Sequence, residues 1–282
     1  MKKNAYEDTT IKGTKKRITH LQKNCNLNNP EQVKEYIANK QCTNGYKESL
    51  TEAYNHYCKA NNITWEKPFY KRYDKQPKIP STEQLKMLIA NAQPKMALFL
   101  SMSKDLGTRP IELTWLKVKD INLKNGNITL TSAKHCNGRT LKLKNKTLDM
   151  LKAHIQKHDL NQNSRIFQIT SEHIGDIYRR HRNKLAKKLQ DPTIQQIRLY
   201  DFRHYYATML YHKTKDLLHV KARLGHKDLR TTLRYTQLLE TTEDDEYHCK
   251  TATNVKEATQ LIENGFEYVT EKDEIMIFRK RK

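Results

Sequence analysis

Glycine and proline are scarce, eight and seven in 282 residues, which argues for ordered structure and against a low-complexity chain. Cysteine is scarcer still. Cys25, Cys42, Cys58, Cys136 and Cys249 are odd in number and include no CxxC pair. Neither a zinc ribbon nor a disulfide framework is therefore expected, and the thiols are read as reduced. No apolar run nears the roughly 18 residues of a membrane helix, and the N-terminus turns acidic straight after two lysines, unlike a secretory leader. A soluble intracellular chain is expected. No internal repeat, no Mg²⁺-type carboxylate cluster and no aromatic-rich strand of the RNA-stacking kind is visible.

Positive charge, in contrast, is abundant. Lys and Arg number 53 against 31 Asp and Glu, a net charge of +22. Such an excess points to a polyanionic partner, with DNA, RNA or an anionic lipid surface left open by charge alone. Residues 1–80 carry net +8, residues 81–239 net +18 and residues 240–282 net −4. The acidic tail is a different kind of object.

The hydrophobic pattern predicts several helices in the first segment. Pro30 stands at a helix start ahead of Val33, Tyr36 and Ile37, and residues 46–59 repeat the period with Leu50, Ala53, Tyr54 and Tyr57. The stretch KRYDKQPKIPS reads as a linker. Ser81 opens a new helix with a capping box to Gln84, and another is expected over 95–104. Alternation over 114–143 predicts a small sheet, with Asn137-Gly138 as a two-residue hairpin turn. Helices resume near Thr147 and continue to about 239. The tail reads as strand, helix, strand, strand (247–253, 255–264, 266–270 and 274–279).

Three stretches can carry chemistry. In RLYDFRHYYATMLYH, Leu199, Phe202, Tyr206, Met209 and Leu210 fall on one helical stripe, with Tyr200 and Arg203 together on the adjoining face. By itself this also fits a surface arginine on an amphipathic helix. In HVKARLGHKDLRTTLRYTQLL, a helix stops at Gly225 with His226 just beyond. Asp228 can then cap a helix bearing Leu229, Leu233 and Tyr235. Taken singly, His226 reads as a capping or packing residue and Tyr235 as a core edge. In KDLGTRPIELTWL, Arg109 stands at a helix start beside free backbone N–H groups, well set for phosphate. A surface pair with Glu112 is the alternative there.

Taken in order, LGTRPIE, SAKHCNGR, YDFRH, LGH and TTLRYTQL resemble the tyrosine recombinase (phage integrase) family over about residues 80–240. Tyr200 departs from the pattern, replacing the first His of the family's His-x-x-Arg. That variant, with the tail FEYVTEKDEIMIFRKRK, resembles the archaeal branch of integrases and Xer-like recombinases of cells, viruses and plasmids. The resemblance implies a mainly α fold with a small antiparallel β-sheet (α+β). Residues 1–75 would be a helical core-binding DNA clamp, 76–80 a linker, 81–240 the catalytic domain and 241–282 a β-α-β-β appendage controlling Tyr235.

The implied activity is site-specific strand exchange through a 3′-phosphotyrosyl link, without ATP, metal or cofactor. Tyr235 would attack the scissile phosphate, and Arg109 and Arg203 would clamp its non-bridging oxygens. Lys134 on the hairpin would protonate the leaving 5′-oxygen, with Lys142 and Lys144 ranked behind it and a plain phosphate contact as its alternative role. His226 would donate a hydrogen bond to the phosphate, Tyr200 would supply only a hydrogen bond, and Glu112 and His204 would support the site. The implied partner is double-stranded DNA carrying a recombination site, bound by a tetramer in a cytoplasmic, nucleoid-associated setting. A catalytically silent DNA-binding protein of the same fold and a type IB topoisomerase are the alternatives, ahead of a basic RNA-binding protein.

Overall fold

The computed structural model describes residues 1–2, 5–72, 77–131, 137–235, 247–272 and 274–281. The chain divides into two units, Met1–Lys75 and Gln76–Lys282. In the first, α1 (Asp8–Gln22), α2 (Pro30–Asn39) and α3 (Asn44–Asn61) enclose Leu21, Val33, Ile37, Leu50, Tyr54 and Cys58. Pro30 is the first residue of α2, and the Asn29 side chain accepts the Gln32 N–H at 3.2 Å. Tyr54 donates its hydroxyl to Leu27 O at 2.8 Å, so this buried polar group is satisfied. Cys25, Cys42, Cys58 and Cys249 are free thiols, and Cys136 lies outside the described residues.

The second unit is mainly helical. Its first helix, α4 (Thr82–Ala90), starts at the expected box: Gln84 N–H donates to Ser81 Oγ at 3.1 Å, and Ser81 N–H to Gln84 Oε1 at 2.9 Å. Next, α5 (Pro94–Leu106) is buried nearly all round and packs on α4, α7 (Asn145–Lys157) and α9 (Asp201–Thr214). Gly107 ends α5 at φ +59°, and a Cβ there would fall 2.2 Å from the Tyr206 ring. Only glycine lets the chain turn this sharply beneath α9 and start α6 (Pro110–Trp115) at Arg109. The unit continues with α8 (Ser171–Leu189), α10 (Leu217–Leu224) and the short α11 (Arg230–Leu233).

The first sheet is smaller than the alternating pattern predicts. Thr114 and Trp115 finish α6, so the strands are β1 (Ile121–Asn122), β2 (Asn127–Leu130) and β3 (Arg139–Lys142), antiparallel in that order. Asn137-Gly138 is not a two-residue turn, because Leu130 pairs with Arg139 and residues 131–138 all lie between the strands. Asn137 N–H instead donates to Gly225 O at 3.2 Å, tying the end of this connection to the end of α10.

Two apolar faces also differ from expectation. On α9 the buried set is Asp201, Phe202, Arg203, Tyr205, Ala207 and Thr208, whereas Leu199, Tyr206, Met209 and Leu210 are half-buried. Buried on most sides, α9 shows no single stripe. On α11 the expected face is outside, with Leu229 and Leu233 exposed, and Tyr235 comes after the helix.

The tail forms β4 (Tyr247–Ala252), α12 (Val255–Glu263), β5 (Glu267–Lys272) and β6 (Ile275–Arg281). Both outer strands run antiparallel to β6, in the order β4-β6-β5, over a core of Ala252, Ala258 and Phe278. The fold is thus mainly α with small antiparallel sheets and a β-α-β-β tail, as the sequence implied. Among the described residues no helix is long and apolar enough to cross a membrane.

Candidate active site

Glu112, in the first turn of α6, is a buried hub. Its carboxylate accepts the Arg109 backbone N–H and Arg109 Nη1, both at 2.9 Å, and Arg139 Nη2 at 2.7 Å. The side chains of Glu112 and Arg109 are 0% and 12% exposed, which rules out the surface-pair alternative. Burial pushes the Glu112 carboxyl up. The hydrogen bond and charge of Arg139, the Arg109 N–H and the Arg203 charge outweigh that, and hold it below the usual carboxylate range.

Arg203 lies on the first turn of α9 and is completely buried, where a surface arginine had been the bland alternative. Its Nη1 donates to Gly107 O at 2.7 Å and its Nη2 to Leu224 O at 2.8 Å, joining the ends of α5 and α10. Nη2 also lies 3.0 Å from His226 Nε2. A guanidinium has no acceptor, so Nε2 must accept and Nδ1 then donates to Thr232 Oγ1 at 2.9 Å. Both ring nitrogens of His226 are thereby engaged inside the protein. The expected hydrogen bond from His226 to a phosphate would have to replace one of these two contacts.

Tyr235 is 3% exposed and packs against Ala207, Val220 and Leu224, while its hydroxyl lies 3.0 Å from His204 Nδ1. Burial pushes the phenol up to about 12, against the lowering charge of Arg203. His204, expected only to buttress the site, therefore touches the candidate nucleophile directly. Tyr200 is 40% exposed, acts electrostatically on Arg203 and Tyr235, and its ring meets His204 edge-on with centroids 5.1 Å apart. Lys134 lies outside the described residues. Lys142 is exposed on β3, and Lys144 faces Asp105 at 3.8 Å.

Sequence reasoning missed Arg139. It belongs to the quoted stretch SAKHCNGR, yet its partner Glu112 is 27 residues away and only the β2–β3 register brings the two together. Arg109 and Arg139 pair with one buried carboxylate and Arg203 lies within its field, so among the described residues three guanidiniums crowd around a single Glu112. Arg139 Nε, Arg203 Nε and Thr108 Oγ1 are also buried without a partner among the described residues. Unspent buried donors beside excess positive charge fit an anion with several acceptor oxygens.

Two imidazoles are held neutral here. Burial, then the charges of nearby arginines, bring His204 down to about 4 and His226 down to about 3. An unfolded histidine titrates near 6.5, so below that pH the unfolded chain binds more protons than the folded one. Stability is present in full above about pH 6.5 and falls as the pH drops toward 4. The melting temperature is expected to decline from pH 7 to pH 4.5, with a shallower slope in His226→Asn. A flat wild-type profile across that window would rule the arrangement out.

Comparisons with known proteins converge on the same stretch. The phage integrase family profile matches residues 81–242. A probable integrase/recombinase protein of Methanocaldococcus jannaschii is 31% identical over 158 residues, 54% of this chain and 48% of that protein. Tyrosine recombinase XerA of Saccharolobus solfataricus is 27% identical over 184 residues, 65% of this chain and 60% of that protein. The matched stretches thus span about half to three-fifths of these relatives. Both come from archaea, consistent with the Tyr-x-x-Arg variant. Among solved structures, the Tn1549 transposon integrase bound to transposon right end DNA superimposes with a TM-score of 0.67 at 14% identity, covering 85% of this chain and 92% of that one. A XerA recombinase gives 0.52 at 20% identity, covering 87% and 92%. Both show a shared fold.

Proposed function

The chain belongs to the phage integrase family, and from that premise we propose a site-specific recombinase that cuts and rejoins double-stranded DNA through a 3′-phosphotyrosyl link. The observation that carries this reading is Tyr235, its hydroxyl on His204 and its phenol within the fields of Arg203 and Arg109, at a buried cluster of three arginines. The Tyr235 oxygen attacks phosphorus, the bond to the 5′-oxygen breaks, and the energy of the phosphodiester is kept in the new link. Rejoining then needs no ATP.

Arg109 and Arg203 stabilise charge on the non-bridging oxygens, work that permanently charged planar guanidiniums do well. His226 holds Arg203 in place, Arg139 pins Glu112, Glu112 anchors the Arg109 turn, and Lys134 protonates the leaving 5′-oxygen. No cofactor enters the scheme. Tyr235 is nearly sealed in the described arrangement, so DNA binding has to open the cover over the Tyr235–His204 pair and admit the phosphate to it.

The unit Met1–Lys75 serves as a clamp on the duplex, residues 81–240 catalyse, and exchange between two duplexes requires several protomers, a tetramer on paired sites. Contacts to many phosphates make binding fall steeply with salt.

Incubation with sheared total DNA from cells carrying the gene, followed by a denaturing gel, is expected to give a covalent protein–DNA adduct absent from Tyr235→Phe. Sequencing the trapped fragments gives the target site. Tight, salt-sensitive binding with no adduct would replace this reading with a silent DNA-binding protein. Relaxation of supercoiled plasmid without strand exchange would replace it with a topoisomerase.

A further inference from the structure

The phenol proton of Tyr235 has to leave as its oxygen attacks, and Tyr200 cannot take it, because a neutral phenol is a poor base at pH 7. One helical turn further along α9 stands an imidazole. We infer that His204 is the general base, its Nδ1 receiving the Tyr235 proton as the oxygen bonds to phosphorus. This rests on the Tyr235 chemistry proposed above.

Geometry carries the assignment. His204 Nδ1 lies 3.0 Å from the Tyr235 hydroxyl, hydrogen-bonding distance for a direct transfer. Positions 200 and 204 share one face of the helix, and the Tyr200 ring meets His204 edge-on at 70°, which steadies the imidazole. Tyr200 thus supports the base instead of being it. The charged and titratable groups acting on His204 and Tyr235 are Arg198, Arg203, Arg234, Arg109 and Tyr200. Burial, and then the arginine charges, keep the imidazole neutral, and in the tautomer with its proton on Nε2 the Nδ1 accepts from Tyr235.

The step balances. A lone pair of the Tyr235 oxygen forms the P–O bond, the bond to the 5′-oxygen breaks with its electron pair, and that oxygen takes a proton from Lys134. His204 gains the phenol proton and returns it when the 5′-hydroxyl attacks in rejoining. With the phenol near 12 and the imidazole near 4, the proton stays on Tyr235 in the resting protein. It moves only in concert with attack, once a phosphodiester charge offsets the surrounding arginines. The pair is therefore silent without DNA.

The test uses the full chain and duplexes built on the trapped fragments, with single-turnover cleavage as the readout. His204→Asn can hydrogen-bond Tyr235 but cannot take its proton. It is expected to bind DNA as wild type does and to cleave about 10²–10³-fold more slowly. Placing 3,5-difluorotyrosine at 235, a phenol that releases its proton more readily, speeds cleavage by His204→Asn far more than it alters cleavage with His204 present, so most of the gap between the two closes. A 5′-bridging sulfur, which departs unprotonated, recovers none of it. Cleavage by His204→Asn within threefold of wild type, or a loss that the fluorinated phenol leaves untouched, would overturn the assignment while the Tyr235 chemistry stands. Absence of any adduct in wild type would overturn both.

Discussion

Replacing Glu112 with alanine is expected to lower the stability of the larger unit by about 3–5 kcal/mol, the usual loss when one partner of a buried ion pair is removed. For a unit of this size that is a fall of about 6–20 °C in melting temperature. The reason lies in what remains. Arg109 and Arg139 both spend hydrogen bonds on this carboxylate, and Arg203 lies within its field. Without it, three guanidiniums repel one another in a space closed to water. Glu112→Gln keeps the shape but turns an N–H₂ toward donors, so it recovers little. The sign with pH follows from the depressed carboxyl: its contribution is complete above about pH 4.3, the ordinary value, and is lost as pH falls through the lower folded one. Thermal melts of both variants at pH 7 check the prediction, and a shift of less than 2 °C would show that the hub does not hold the site.

Arg203→Ala is expected to reduce cleavage by about 10³–10⁵-fold, the range seen when an arginine stabilising phosphoryl transfer is removed. It should also destabilise the fold. Gly107 O and Leu224 O are buried acceptors that this side chain satisfies, and each costs about 1–3 kcal/mol when left unpaired. The two effects separate in Arg203→Lys. An ammonium keeps the charge but cannot hold two carbonyls and His226 at the spacing of a guanidinium fork. Partial recovery of the melting temperature with cleavage still down by at least a hundredfold is the expected result. Full recovery of both by lysine would mean that charge alone, and not the fork, is what the site uses.

Local signals in the sequence proved reliable where the physics is local. The Ser81–Gln84 box, Pro30 at the start of α2, and Gly225 at a helix end are set by backbone hydrogen bonds and by which residues tolerate positive φ. Periodicity failed on α9 and α11 because it reads amphipathicity. A helix buried on most sides, such as α9, offers no clean stripe, and the apolar face of α11 is exposed.

The order of Arg109, Tyr200, Arg203, His226 and Tyr235 along the chain, with the charge excess, was enough to indicate a phosphate-directed family, since chain order survives in sequence. Tertiary structure alone decided who touches whom. The β2–β3 register delivers Arg139 to Glu112 across 27 residues, the buried ends of α5 and α10 meet on Arg203, and the turn after α11 brings Tyr235 back to His204 across 31. Those pairings depend on which surfaces pack together, a property of the whole core that no local spacing encodes.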